Sequence, residues 1–421
     1  RKSNFSLPVN NIMNSIAERY VKLVLRIGVY DTDYVDAYYG PNEWKPAGDD
    51  SLKKEKFPSQ RFDDEVIQLL RLLHSMDTLQ LGAIEKLRHA SMSKQLIAVK
   101  AKIFLLSGGM LSFDEESQQM YDAVAPAYSE DHYRRLLENL GLLLPGTGSV
   151  SERLESYKRS FVIPKEKLDA VFKAAIAEGR RRTLQHISLP SNENFIVEYV
   201  NDKPWSGYNW YKGDSYSVIQ VNTDLPIFID RAVDLACHEG YPGHHVYNLL
   251  MEKTLVRERG WMEFSVYPLF SPQSLIAEGS ANFGIEVALP GEERVHFERD
   301  VLFPLAGHDR KKAEEYYRIQ ALKAKLDFAG NEAARNYLDG KWRRDDAVQW
   351  LVTYALFAPE RAEQRLRFIE RYRSYVINYN LGQDIVRLFI ERRGGTPNNS
   401  ELRWKIFEEL LSDPHTPSGL Q

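Results

Sequence analysis

The chain has 421 residues, is 43% hydrophobic and 27% charged, and carries a formal net charge of −4. Those values suit a globular body with a substantial core and recommend neither nucleic acid nor an anionic membrane as a partner. No apolar run approaches the roughly 20 residues of a membrane span, and a lone cysteine, Cys237, excludes an intrachain disulfide.

Residues 11–27 place Ile12, Ile16, Tyr20, Val24 and Ile27 at three- and four-residue steps, which predicts an amphipathic helix. The segment 94–107 is apolar on nearly every side and predicts a buried helix. A further helix is expected to open at Pro164 and to run through Leu168, Val171, Phe172 and Ile176. Arg180, Arg181 and Arg182 then read as its solvated end, where cations suit the helix dipole.

The texture changes after 190. Phe195–Val200 and Tyr216–Val221 are rich in β-branched and aromatic residues and predict short strands. Trp205, Tyr208, Trp210 and Tyr211 fall in the connection, either packed beneath a loop or lining a cleft. The second strand leads into a helix, with Thr223 or Asp224 as cap and Pro226 in its first turn. Apolar residues on several faces of that helix predict that His238 and Glu239 are buried. Helical patterns resume at 293–335, 341–372 and 384–393, and a last short helix is expected near 400–411. The predicted fold class is therefore mainly α with a small β-sheet (α+β), the motif helix being preceded by an edge strand. The expected division is an N-terminal helical region at 1–189 and a catalytic region at 190–421, or one continuous body. The chain opens on Arg1 rather than Met, as expected of a processed or trimmed chain, and cytoplasmic and exported locations both stay open.

Chemistry concentrates in His238-Glu239-Gly240-Tyr241-Pro242-Gly243-His244-His245. Imidazole is a common ligand for transition metals, and a glutamate beside a metal-activated water is the usual general base of metal-assisted hydrolysis. The spacing is stretched relative to His-Glu-x-x-His. On an ideal helix a six-residue step turns about 600°, out of phase, and a seven-residue step rises about 10.5 Å. A bulged turn at Tyr241-Pro242-Gly243, with glycine tolerating a tight bend, would bring His244 back beside His238. His238 and His244 are the expected ligands and His245 the substrate-facing or supporting group, with the reverse assignment of His244 and His245 open. Glu278 is the expected third ligand, leaving one position open for water, and Gly279, Ser280 and Ala281 would let its helix approach the motif helix. The expected cofactor is one Zn²⁺ per chain, though two imidazoles and a carboxylate also suit other divalent metals. Cys237 reads as a buried, inert thiol, since adjacent helical residues do not face each other.

At these residues the chain resembles the uncharacterised bacterial family called domain of unknown function 885, whose members are similar to gluzincin-type metallopeptidases. The resemblance covers about the second half of the chain. It includes Val221-Asn222-Thr223, Glu278-Gly279 and Tyr379-Asn380-Leu381-Gly382-Gln383. The family pattern has Trp at 280, Leu and Tyr at 282 and 283, and Lys at 380, where this chain has Ser280, Asn282, Phe283 and Asn380. The resemblance implies a metallopeptidase-like hydrolase and offers Tyr379 or His245 as donor to the developing oxyanion. Glu239 would be the base and a peptide or amide the substrate. Arg371 or Tyr372 would lie where an arginine can pair with a substrate carboxylate. An edge strand at 216–221 would hold an extended peptide. Two alternatives stand beside this reading: a helical binding or scaffold protein whose metal is structural or absent, and a metal-dependent amidase acting on a non-peptide substrate.

Overall fold

The computed structural model describes residues 9–48 and 56–421. Helices dominate, and the sheet content is small, as expected. The first helix, Val9–Gly28, buries Ile16, Tyr20, Val24 and Ile27. The apolar stretch after 94 is the second half of a long helix, Ala83–Leu106. That helix also buries cations, each held by a partner. Arg88 Nε donates to Glu263 at 2.5 Å and Lys102 Nζ to Asp31 at 2.5 Å. Such pairing is what allows a charge inside a core.

The first strand, β1 (Val35–Tyr38), pairs antiparallel with β5 (Val266–Pro268). Both predicted strands form, as β2 (Asn194–Val200) and β4 (Tyr216–Asn222). Between them the expected aromatic connection is itself a strand, β3 (Gly207–Gly213). β3 turns into β4 through Asp214 and Ser215, both at positive φ (52° and 60°), the geometry that matches the twist of a two-residue hairpin. The buried Glu252 carboxylate secures that turn by accepting from the Asp214 N–H at 2.8 Å and the Tyr211 hydroxyl at 2.7 Å.

The sheet order is β2-β4-β3, with β2 parallel and β3 antiparallel to β4. The strand ahead of the motif helix is therefore the central one, not the expected edge strand. Its backbone is engaged on both sides, and β3 and β2 are the edges.

The motif helix starts later than its cap signals suggest, at Asp230 (Asp230–Leu235). Thr223 and Asp224 instead tie off the sheet. The Thr223 N–H donates to the Val200 carbonyl at 2.9 Å, and Asp224 accepts from the Asp202 N–H at 2.8 Å. The helix entrance is anchored by an antiparallel bridge between Val162 and Phe228. Asp230 is buried beneath it, 3.7 Å from Lys158 and 2.5 Å from the Tyr316 hydroxyl. The expected start at Pro164 becomes a short 3-10 turn, Lys165–Lys167, before the helix Leu168–Leu184.

One hydrophobic core runs through both halves of the chain, from Met13 to Leu420, and a smaller cluster gathers around Tyr133, Leu140 and Tyr354. No helix among the described residues is long and apolar enough to cross a membrane.

Candidate metal centre

The motif helix does not run straight through the histidines. After Leu235 it widens into a π-turn over Ala236–Gly240, and a cis peptide bond joins Tyr241 to Pro242. A new helix, His244–Met251, begins after Gly243. Gly243 is needed for space rather than for positive φ: its φ is −78°, but a Cβ would overlap the carbonyl oxygens of Cys237 and His238. The bulged turn expected from Pro242-Gly243 thus forms, with the Gly243 N–H donating to the Cys237 carbonyl at 2.9 Å. It brings the His238 and His244 rings 4.7 Å apart and nearly perpendicular.

Glu278 completes the cluster from the helix Pro272–Ala288. Ligand-capable atoms of His238, His244 and Glu278 all lie within 4.8 Å of one another. Glu278 Oε2 is 3.0 Å from His238 Nε2 and 3.3 Å from His244 Nε2. Its other oxygen, Oε1, accepts from the Tyr375 hydroxyl at 2.7 Å, so one oxygen is tethered and one presented. Gly279, one of the small residues expected to let this helix approach the motif helix, serves a different neighbour. Gly279 abuts the backbone of Gly382 in the helix Ile377–Arg392, where any Cβ would overlap it. Gly284 is the glycine that meets the motif turn, with a Cβ position 3.2 Å from Pro242 Cγ.

The tautomer of His238 follows from its neighbour. The Asn282 side-chain N–H donates to the Tyr379 carbonyl at 2.9 Å, so its Oδ1 must be the acceptor for His238 Nδ1–H at 2.7 Å. His238 Nε2 then turns a lone pair toward the cluster. In the neutral ring that lone pair would face the Glu278 oxygen at 3.0 Å, a contact that a proton or a metal cation between them relieves. Glu239 and Asp36 add to the negative charge there. Burial would lower the pKa of His244, but Glu278, then Glu239 and Asp36, lift it to about 9. Glu278, despite its burial, is held far below the usual carboxylate range by His244 and His238. The donor set and the charge both fit a divalent cation.

Glu239 is 4% exposed, its Oε1 is 3.9 Å from His238 Nε2, and its Oε2 has no hydrogen-bond partner among the described residues. Burial, partly countered by His238 and His244, raises its pKa. An unsatisfied buried carboxylate is costly and marks a group poised for a partner the fold does not supply. Gly207 of β3 leaves it room, since a Cβ there would sit 3.3 Å from Glu239 Oε1.

Tyr379 stacks on His238 at 6.3 Å, half-buried, with burial and then Glu278 holding its hydroxyl well above the ordinary tyrosine range. Asp36 of β1 accepts from the Tyr208 hydroxyl, and burial lifts its carboxyl to about 7. Asn282, Tyr375 and Asp36 were not singled out from the sequence. Asn282 alone left a trace, one helical turn beyond Glu278; Asp36 lies too far along the chain for any local pattern to include it.

His245 departs from its expected role. It is 0% exposed, its Nδ1 is 2.7 Å from Ser217 Oγ and its Nε2 is 3.0 Å from Glu193 Oε2. Packed between Phe195 and Tyr241, it faces neither the cluster nor a cleft. The arginine run is likewise more than a solvated terminus. Arg180 donates to Glu193 at 2.7 Å, and Arg182 to Glu178 at 2.6 Å and to Glu293. Cys237 is fully buried, and burial pushes its thiol up to about 12, in keeping with an inert side chain.

The fold is similar to that of a candidate lipoprotein from Colwellia psychrerythraea, with a TM-score of 0.52 and 15% identity over 88% of this chain and 67% of that one. An M32 carboxypeptidase from Deinococcus radiodurans R1 superposes with a TM-score of 0.49 and 14% identity, covering 98% and 93% of the two chains. A candidate lipoprotein of unknown function from Shewanella oneidensis gives 0.42 and 13%, covering 87% and 71%. At such identities the likeness is one of fold. No protein-family model matches the sequence, and no curated protein does.

Proposed function

We propose that this protein is a metal-dependent hydrolase of amide bonds, with peptides as its substrates. His238, His244 and Glu278 would hold one divalent ion, and zinc suits their chemistry best. The observation that carries this reading is the convergence of two imidazole Nε2 atoms and one carboxylate oxygen within 4.8 Å, beside the unpartnered Glu239 carboxylate. The resemblance to the domain of unknown function 885 family supports it through the same residues.

A bound divalent ion would polarise the scissile carbonyl and make a water molecule acidic at the open position. Glu239, its carboxylate unpaired, would accept a proton from the attacking water and return it to the leaving nitrogen. Tyr379 stays protonated through neutral pH, and its hydroxyl is the donor for the developing oxyanion. Asn282 and Tyr375 orient His238 and Glu278. The role first assigned to the strand at 216–221 passes to β3, the edge strand whose Gly207 lies against Glu239.

The test is Glu239→Gln. Metal analysis should still find about one zinc per chain, while chelator-sensitive peptide cleavage should fall by about 10²–10⁴-fold. Full activity in that variant removes Glu239 from the mechanism. Cleavage of non-peptide amides in preference to peptides would move the assignment to an amidase.

A further inference from the structure

The helix Pro359–Tyr372 turns Arg361, Arg365, Phe368 and Tyr372 to one side at four-, three- and four-residue steps. Arg365 is half-buried, with its guanidinium carbon 4.7 Å from the Phe368 ring centroid and 5.7 Å from that of Tyr379. Those rings hold the planar guanidinium but use none of its N–H groups. Among the described residues it has no hydrogen-bond acceptor and no carboxylate within salt-bridge distance. Burial disfavours its charge, countered by Tyr379 and by the exposed Asp327.

Neighbouring arginines differ. Arg371, on the same helix, is engaged by both oxygens of Asp33 at 2.7 Å. Arg294 is held by Asp234 at 2.8 Å. Arg361, one turn before Arg365, has only the Pro226 carbonyl, at 2.5 Å, and like Arg365 lacks a carboxylate.

Their position gives them a use. Tyr379 lies 5.7 Å from Arg365 and 6.3 Å from the His238 ring, so Arg365 is no farther than about 12 Å from that ligand. One extended residue spans about 3.5 Å. One residue of a substrate held at the metal centre would therefore bring its next group within reach of the guanidinium.

We propose that Arg365, backed by Arg361, receives a substrate carboxylate one residue away from the scissile amide. This rests on the hydrolase reading above. The carboxylate is either the α-carboxylate of a C-terminal residue or an acidic side chain at that position. The planar fork of Arg365 suits bidentate capture of either.

The experiment is calorimetric binding to the zinc-loaded Glu239→Gln protein, which needs no turnover. Three N-acetylated tripeptides are compared: a neutral one with a free C-terminus, its C-terminal amide, and an amide carrying glutamate in place of one neutral residue. At least one carboxylate-bearing peptide should bind ten- to a hundredfold tighter than the neutral amide, the scale of a hydrogen bond to a charged group. Preference for the free acid identifies the α-carboxylate, and preference for the glutamate peptide identifies the side chain. Arg365→Gln should abolish the preference and Arg365→Lys should retain part of it, with thermal melts confirming that both variants fold. Equal binding of all three peptides overturns the proposal, as does a preference that survives in Arg365→Gln. Should the zinc-loaded parent protein cleave neither peptides nor other amides, the hydrolase reading falls while the carboxylate preference is still measured independently.

Discussion

His244 and His245 are adjacent, yet they belong to two clusters of opposite character. Each cluster pairs imidazole with glutamate. Around His244 the side chains are about 10% exposed, a lone pair faces a carboxylate, and Glu239 Oε2 has no partner. Around His245 every valence is filled. Ser217 engages one ring nitrogen and Glu193 the other, and Glu193 also takes the Tyr241 hydroxyl at 2.6 Å and Arg180 at 2.7 Å. The order Ser217–His245–Glu193 has the composition of a nucleophile relay, but Ser217 is 0% exposed and sits on the central strand, where no substrate can reach it. Composition alone does not separate a reactive cluster from a structural one. Unfilled valence and access do.

The comparison breaks most sharply under alanine. His238→Ala or His244→Ala should remove the bound metal and reduce hydrolysis to background, whereas His245→Ala should leave about one zinc per chain. His245→Ala should instead cost stability, on the order of 1–3 kcal/mol, because Ser217 and Glu193 each lose a buried hydrogen-bond partner. Metal analysis and chemical denaturation of the three variants check both halves. Metal loss in His245→Ala alone would exchange the two roles.

Acid should separate the clusters next. Burial alone would push the Glu193 carboxyl up, yet hydrogen bonds from His245, Tyr241 and Arg180 hold it at about 2. Because this folded-state value lies below the ordinary one near 4.5, its contribution is complete above about pH 4.5. It is lost as pH falls toward 2. The contribution is on the order of 3 kcal/mol. Melting temperatures from pH 7 down to 2.5 should fall less steeply for Glu193→Gln than for the parent. Parallel curves would mean that the network is not the acid-sensitive element.

The candidate metal cluster was more legible in the sequence than the sheet beside it. His238, Glu239 and His244 announced themselves by density, and Pro242-Gly243 indicated the turn that gathers them. Glu278 could be placed because its helix repeats no other chemistry. β3 was hidden because its hairpin turns on Asp214-Ser215, without the Asn-Gly or Asp-Gly signal that usually marks two positive-φ residues. Missing β3 made β4 look like an edge. His245 was misread because nothing local shows that Glu193, from the loop ahead of β2, would saturate it.

The finest distinction lies at Asn282, where the resembling family has leucine. In this chain Asn282 locks His238 with Nε2 free, by accepting from Nδ1–H while donating to the Tyr379 carbonyl. Leucine can do neither. Asn282→Leu would leave Nδ1–H and the Tyr379 carbonyl unsatisfied and let the ring choose its other tautomer, with its Nε2 lone pair lost to the metal. Loss of such an orienting partner costs about 10–100-fold in metal affinity. A competition titration against a chromogenic zinc chelator should show that weakening. Unchanged affinity in Asn282→Leu would mean that packing by Tyr379 and His244, rather than the hydrogen bond, sets the orientation of His238.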